Sequence, residues 1–312
     1  MKYLEAICVT LSLILLTGCG VKESDTSAKN PAEHQLQTVE EFSDEEWLMP
    51  VIPDSIEDPS ERARFASLHF WDDLDFTDAI PTSNRALMEQ NFVNFITILS
   101  LSDERTQEEA VNLLMGKAKI NQKALDMLTS IADDYLDNPN SPMRSEDLYI
   151  VFLRQRIADI NQIEAVRLRA EDRLEAVMKN RPGDIAADFE YIDRESKKKM
   201  SLFSTPVGSE GMFVVFYDPD CSHCREILES IRRDEKINTL IAEGRVTVLA
   251  VDVKDDRNAW DESKNSMPSN WIVGFNSDGI IDREAYSLPA LPSVYVLSPD
   301  YRVIGKDVTV NL

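Results

Sequence analysis

Cys221-Ser222-His223-Cys224 places two thiols three positions apart, and no other group in this sequence is better placed to do chemistry. Sulfurs at that spacing can close into a disulfide and open again, with a thiolate as the attacking species. Just upstream, Phe213-Val214-Val215-Phe216-Tyr217 reads as a buried strand that breaks at Asp218-Pro219-Asp220, and Arg225-Glu226-Ile227-Leu228 then starts a helix. The first cysteine therefore falls at a helix N-terminus, where free amide N–H groups and the positive dipole end favour a thiolate. Cys224 follows one turn into the helix. His223 can add a positive charge or a hydrogen bond to the Cys221 sulfur, while Asp218 and Asp220 oppose it.

A lone C-x-x-C is also half of many zinc sites. The remaining histidines, His34 and His69, are far away in sequence, so no metal is expected. A structural disulfide, or a vestigial pair on a binding or scaffold protein, stays open at this point. Nothing in the pattern calls for a cofactor.

The chain has 312 residues, enough for two domains, and a formal net charge of −23. Such a surface repels phosphate backbones and argues against nucleic-acid partners. Its four cysteines fall in two places. Cys8 and Cys19 belong to the amino terminus, where Lys2 precedes an apolar run from Ala6 to Leu16. That run is too short to span a hydrocarbon core, which needs about 20 residues, and fits the h-region of a signal peptide. It ends in Leu16-Thr17-Gly18-Cys19, which resembles the lipobox of bacterial lipoproteins. The resemblance implies cleavage after residue 18, lipidation of Cys19 and a membrane held through that anchor. Gly20, in place of an Asp, favours the outer membrane. The mature chain then keeps only Cys221 and Cys224 as thiols, outside the cytoplasm, where disulfides persist.

Residues 19–43 are polar and read as a tether. Residues 44–180 read as a helical domain, opening with an extended or turning stretch at Pro50, Pro53 and Pro59 and helical in pattern from about Ser60 to Met178. Phe65, Leu68, Trp71 and Leu74 recur at three, and Leu125, Leu128, Ala132, Tyr135 and Leu136 at three or four, as do Ile150, Leu153, Ile157 and Ile160. Five or six helices are expected, with Asp103 and Ser145 as caps. His69, the Phe70-Trp71 pair and Met88, Met115 and Met127 read as structural. From 181 to 312 the period changes. Short β-rich runs at Asp188–Ile192, Phe213–Tyr217, Val246–Val253, Ser293–Leu297 and Arg302–Gly305 alternate with helical stretches at Cys221–Glu243 and near Ala259–Trp271. The expected architecture is an all-α helical domain followed by an α/β domain with a mixed central sheet.

The second domain resembles the thioredoxin superfamily, most closely the TlpA-like thiol-disulfide oxidoreductases of the bacterial envelope. The resemblance runs from Pro182-Gly183-Asp184 through the strand–C-x-x-C–helix unit to Leu291-Pro292-Ser293-Val294-Tyr295-Val296-Leu297. It implies a thioredoxin-like fold and a cis peptide before Pro292, facing the cysteines and orienting the substrate backbone. It also implies catalysis of thiol–disulfide exchange by Cys221 and Cys224, supported by Ser222 and His223. The implied partners are extracytoplasmic thiol or disulfide proteins and a redox protein that recycles the pair. Asp220 replaces the aromatic often found before the first cysteine, and Ile227 and Glu229 replace the Glu and Pro of the cytochrome-maturation branch. The stretch from Glu61-Arg62-Ala63 to His69-Phe70-Trp71-Asp72 resembles an uncharacterised helical domain that precedes thioredoxin domains in some envelope lipoproteins.

Overall fold

The computed structural model describes residues 48–159, 163–254, 256–276, 280 and 285–308. The expected signal peptide, Cys19, His34, the tether and Ile160 lie outside them. The chain forms two compact units, one ending at Leu136 but including Asp147–Gln155, the other made of Asp137–Glu146 and everything from Arg156 on.

The first unit is helical. Its helices are α1 (Pro59–His69), α2 (Ala79–Ser83), α3 (Arg85–Leu99), α4 (Glu104–Ala118) and α5 (Gln122–Ala132), joined by most of α6 (Glu146–Ala158). Side-chain oxygens of Asp58, Asp78, Asn84, Asp103 and Asn121 accept from the first-turn amides of α1 to α5, satisfying donors that a helix start otherwise leaves open. Leu125, Leu128, Ala132, Leu136, Ile150 and Leu153 are buried as their spacing implies, and so are Met88 and Met115. The three-residue stripe from Phe65 to Leu74 is only in part the core face, with Trp71 buried and Phe65, Leu68 and Leu74 half-buried. In α1 the buried positions are Ala66 and Ser67, and the helix ends at His69. Phe70, Trp71 and Phe76 then turn inward and pack near Phe95, Trp71 meeting it edge-on at 5.7 Å. His69 stays about half exposed and pairs with Asp72.

The second unit opens with α7 (Glu164–Val177), a helix that precedes residue 181 yet groups with the sheet. Its C-terminal carbonyls explain the grouping: the Lys306 ammonium, nearly fully buried, donates to Val177 O at 3.1 Å and Lys179 O at 3.0 Å and pairs with Glu146 at 3.0 Å. Beside it, Arg144 pairs with Asp307 at 2.9 Å.

The sheet comprises β1 (Glu190–Asp193), β2 (Lys199–Ser201), β3 (Gly211–Tyr217), β4 (Val246–Asp252), β5 (Ile272–Asn276), β6 (Ser293–Leu297) and β7 (Val303–Gly305). Its order is β2-β1-β5-β4-β3-β6-β7, with β3, β4 and β5 parallel and the other pairs antiparallel. β3 is central and buried at every residue. Phe213, Val215 and Tyr217 meet Ile227, Leu228 and Ile231 of α8 (Ser222–Arg233) on one face. Met212, Val214 and Phe216 meet Phe189, Tyr286 and Tyr295 on the other. Such side chains contribute about 1.5–3 kcal/mol each through burial.

Two expectations are corrected. The stretch Cys221–Glu243 is two helices, because Asp234 ends α8 and its carboxylate caps α9 (Glu235–Ala242) through Ile237 N at 2.9 Å. The stretch ending at Trp271 is helical only over α10 (Arg257–Ser263) and a short 3-10 turn, after which β5 begins. Gly274 suits that strand to its neighbour, since a Cβ there would come within 2.4 Å of the Tyr191 ring.

Arg194 holds the irregular segment between α10 and β5. Its guanidinium, 5% exposed, donates to the carbonyls of Lys264, Met267, Pro268 and Trp271 at 3.1–3.2 Å. Arg194→Met would leave these acceptors unpaired, and we expect a loss of about 3 kcal/mol in urea-induced unfolding.

Candidate active site

β3 delivers the chain to one edge of the sheet, and Asp218 turns it. Cys221 N donates to Asp218 O at 3.1 Å and Asp220 N to an Asp218 carboxylate oxygen at 2.8 Å, forming a tight turn before α8. Cys221 then occupies the N-cap, the place where Ser or Asp is usual. Its sulfur accepts from Cys224 N at 3.3 Å and takes over the capping role. The α8 positions Cys224, Ile227, Leu228 and Ile231 are buried at i, i+3, i+4 and i+7, so the same amphipathic stripe that seats the helix buries the second thiol. Both cysteines are free thiols, Cys221 part-exposed and Cys224 buried. Burial pushes the Cys224 thiol up to about 12, partly offset by a hydrogen bond from the Asp218 backbone.

Leu291-Pro292 is a cis peptide, and Leu291 O lies 4.0 Å from the Cys221 sulfur. The structure thus brings Cys221, Cys224 and the Pro292 turn together. Ser222 is the first helical residue and is exposed. His223 departs from expectation. Its ring is exposed and faces Glu226, Nδ1 to Oε2 3.6 Å, and no hydrogen bond joins it to Cys221. The ring is turned toward Glu226, one helical turn on, and away from the N-cap sulfur.

Two groups escaped the sequence analysis. Lys254 reaches back to both carboxylates of the turn, 3.0 Å from Asp218 and 3.4 Å from Asp220. The parallel register Tyr217↔Asp252 sets this up, because it ends β3 and β4 side by side. Asp252 itself is fully buried, with Oδ1 accepting from Lys254 N at 2.9 Å and Oδ2 without a hydrogen-bond partner among the described residues. Burial pushes its carboxyl up to about 7, with Asp218 and Asp220 adding to the shift against the Lys254 amide and ammonium. The only sequence signal was one acid inside the apolar run Val246–Val253.

A family model described as a domain of unknown function (DUF5106) matches residues 21–180, more than half of the chain. A solved structure of a thioredoxin-like protein from Bacteroides caccae superposes with a TM-score of 0.79 at 30% identity, over 84% of this chain and 94% of that one. This chain is a thioredoxin-like protein of the DUF5106 family. A conserved protein of unknown function from Bacteroides fragilis is 32% identical, with a TM-score of 0.39 over 41% of this chain and 93% of that one. The thioredoxin domain of a thiol-disulfide oxidoreductase from Bacteroides vulgatus is 18% identical, with a TM-score of 0.36 over 40% of this chain and 87% of that one. No curated protein matches. In this DUF5106 protein the thioredoxin-like fold therefore carries the cysteine pair at the end of its central strand.

The Asp252 carboxyl gives the DUF5106 protein a pH signature. Its folded pKa, about 7, lies above the ordinary carboxylate value, so the native state binds the extra proton and stability falls as pH rises from about 4 to 7. Above that range the penalty is constant, at roughly 1.4 kcal/mol per pKa unit. Asp252→Asn keeps the Oδ1 acceptor and removes the charge. Urea midpoints across pH 4–8 should fall less for the variant than for the parent protein, and the variant should be the more stable of the two at pH 8.

Proposed function

We propose that this protein carries out thiol–disulfide exchange on extracytoplasmic proteins. The observation that carries the reading is the disposition of the two sulfurs. Cys221 is accessible at a helix N-cap beside the Leu291-Pro292 turn, and Cys224 is buried one turn behind it with its thiol held protonated. In the reducing direction the Cys221 sulfur attacks a substrate disulfide, one substrate thiolate leaves, and a mixed disulfide forms. Cys224 then gives up its proton and attacks the Cys221 sulfur, releasing the second substrate thiol. Two electrons pass to the substrate and Cys221–Cys224 becomes the disulfide. A recycling redox partner restores it, and the reverse sequence oxidises a dithiol. Protection of Cys224 keeps the first step on Cys221, and the Leu291-Pro292 turn offers an edge against which a substrate backbone can lie.

The role of the pair in TlpA-like envelope proteins, and lipidation at Cys19 in the outer membrane, belong to the same proposal. Their support is the motif sequence around Cys221 and the Leu16-Thr17-Gly18-Cys19 run. Labelled fatty acid should enter the parent chain and not Cys19→Ala when both are expressed with their leader in a bacterium.

Cys221→Ser is expected to abolish exchange with a disulfide peptide, and Cys224→Ser to accumulate mixed disulfides that a reducing gel resolves. The Cys221–Cys224 potential, titrated against glutathione, should fall between about −120 and −270 mV. A pair below about −300 mV, unreactive with peptides, would instead mark a structural bridge in a binding or scaffold protein.

A further inference from the structure

Along α8 from Arg225 to Arg232, the helix and the segment held by Arg194 enclose a groove of about 360 Å³. Arg225, Glu229 and Arg232 line it from the helix, and Leu228, Met267 and Trp271 supply its apolar lining. The charges do not all cancel. Glu229 is shared between Arg232, through two bonds of 2.5 Å each, and Arg233, at 2.5 Å, so its charge is taken up along the helix. Arg225 has no carboxylate within 4 Å among the described residues; its guanidinium donates instead to Pro219 O at 3.1 Å. That bond draws the charge back toward the turn that presents Cys221. The nearest acids on that turn, Asp218 and Asp220, are both engaged by Lys254. An exposed guanidinium with open donors therefore stands one helical turn from the part-exposed sulfur, in a chain whose net charge is −23.

Resting on the exchange reading above, we propose that Arg225 is a specificity residue that binds an acidic side chain on the polypeptide exchanging with Cys221, while a neighbouring apolar side chain lies against Leu228, Met267 and Trp271. The reach is short. Cys221 to Arg225 spans about 6 Å of helix, the length of about two extended residues. The recognised acid thus lies about two positions from the reacting cysteine. Guanidinium and carboxylate match as planar, doubly bonded partners, and an attraction of this kind selects among partners more than it tightens binding.

The test uses three peptides that differ only in Glu, Gln or Lys two positions from a single cysteine, each supplied as the S-methylthio mixed disulfide. Reduced protein converts each to peptide thiol and methanethiol and becomes the Cys221–Cys224 disulfide, which balances atoms and electrons. Second-order rate constants are normalised to each peptide's rate with dithiothreitol, removing differences in intrinsic reactivity. We expect the Glu peptide to react about five to ten times faster than the Lys peptide at low salt, and the two to converge at 1 M salt. Arg225→Glu should invert the order and Arg225→Lys should keep it. Equal normalised rates in the parent protein, or a Glu preference that survives Arg225→Glu, overturn the assignment of Arg225 and leave the exchange reading standing. Failure of all three peptides to react overturns that reading, and the assignment falls with it.

Discussion

Gly211–Tyr217 is covered on both faces by packed side chains, and this double burial fixes more of the molecule than any polar contact does. A strand enclosed in that way cannot slide, because a shift of one residue would exchange its two faces. Its end is therefore a fixed point. Asp218 turns the chain there, and α8 must fold back over Phe213, Val215 and Tyr217 to bury its own stripe. Cys221 has no freedom to be anywhere except at the start of that helix. The reactive position is a by-product of how a central strand is sealed.

The same geometry separates two thiols of identical chemistry. One sulfur ends the backbone turn and replaces an oxygen as helix cap; the other belongs to the hydrophobic stripe and shares its exclusion of water. The acids around the turn are then sorted by the adjoining strand. β4 ends beside β3, so Lys254 pairs with the carboxylates of Asp218 and Asp220 while Asp252 is shut in below them. Residues more than thirty positions apart in sequence become one electrostatic unit through a single parallel register.

What could be read from the sequence follows from the range of the forces involved. The strand–turn–helix around Cys221 and the strand after Pro292 rest on neighbours, and their residues announce them. α8 and α9 could not be separated in advance, because Asp234 between two helical patterns is also a normal exposed helix residue. β5 was hidden by its composition, since Ile272-Val273-Gly274-Phe275-Asn276 carries two poor strand formers and gains its place by pairing with β4 and β1. Lys254, Asp252 and the Leu291 carbonyl enter the site only through long-range pairing, and no local pattern encodes that. His223 shows the opposite case: nearness in sequence suggested a hydrogen bond to Cys221, and the ring instead faces Glu226.

The last strands have a bearing on how the molecule comes into being. β6 pairs with β3 although some eighty residues intervene, and the carbonyl beside Cys221 comes from a residue 70 positions downstream. Lys306 closes on carbonyls 129 and 127 positions before it. Contacts this distant must overcome a large loop-closure entropy before they stabilise anything, so they form late and slow the chain's acquisition of structure. Until that pairing is made, Cys221 and Cys224 lack the turn that faces them in the finished fold. Completion of the carboxyl-terminal hairpin is thus also the moment at which the pair comes under the control of the fold.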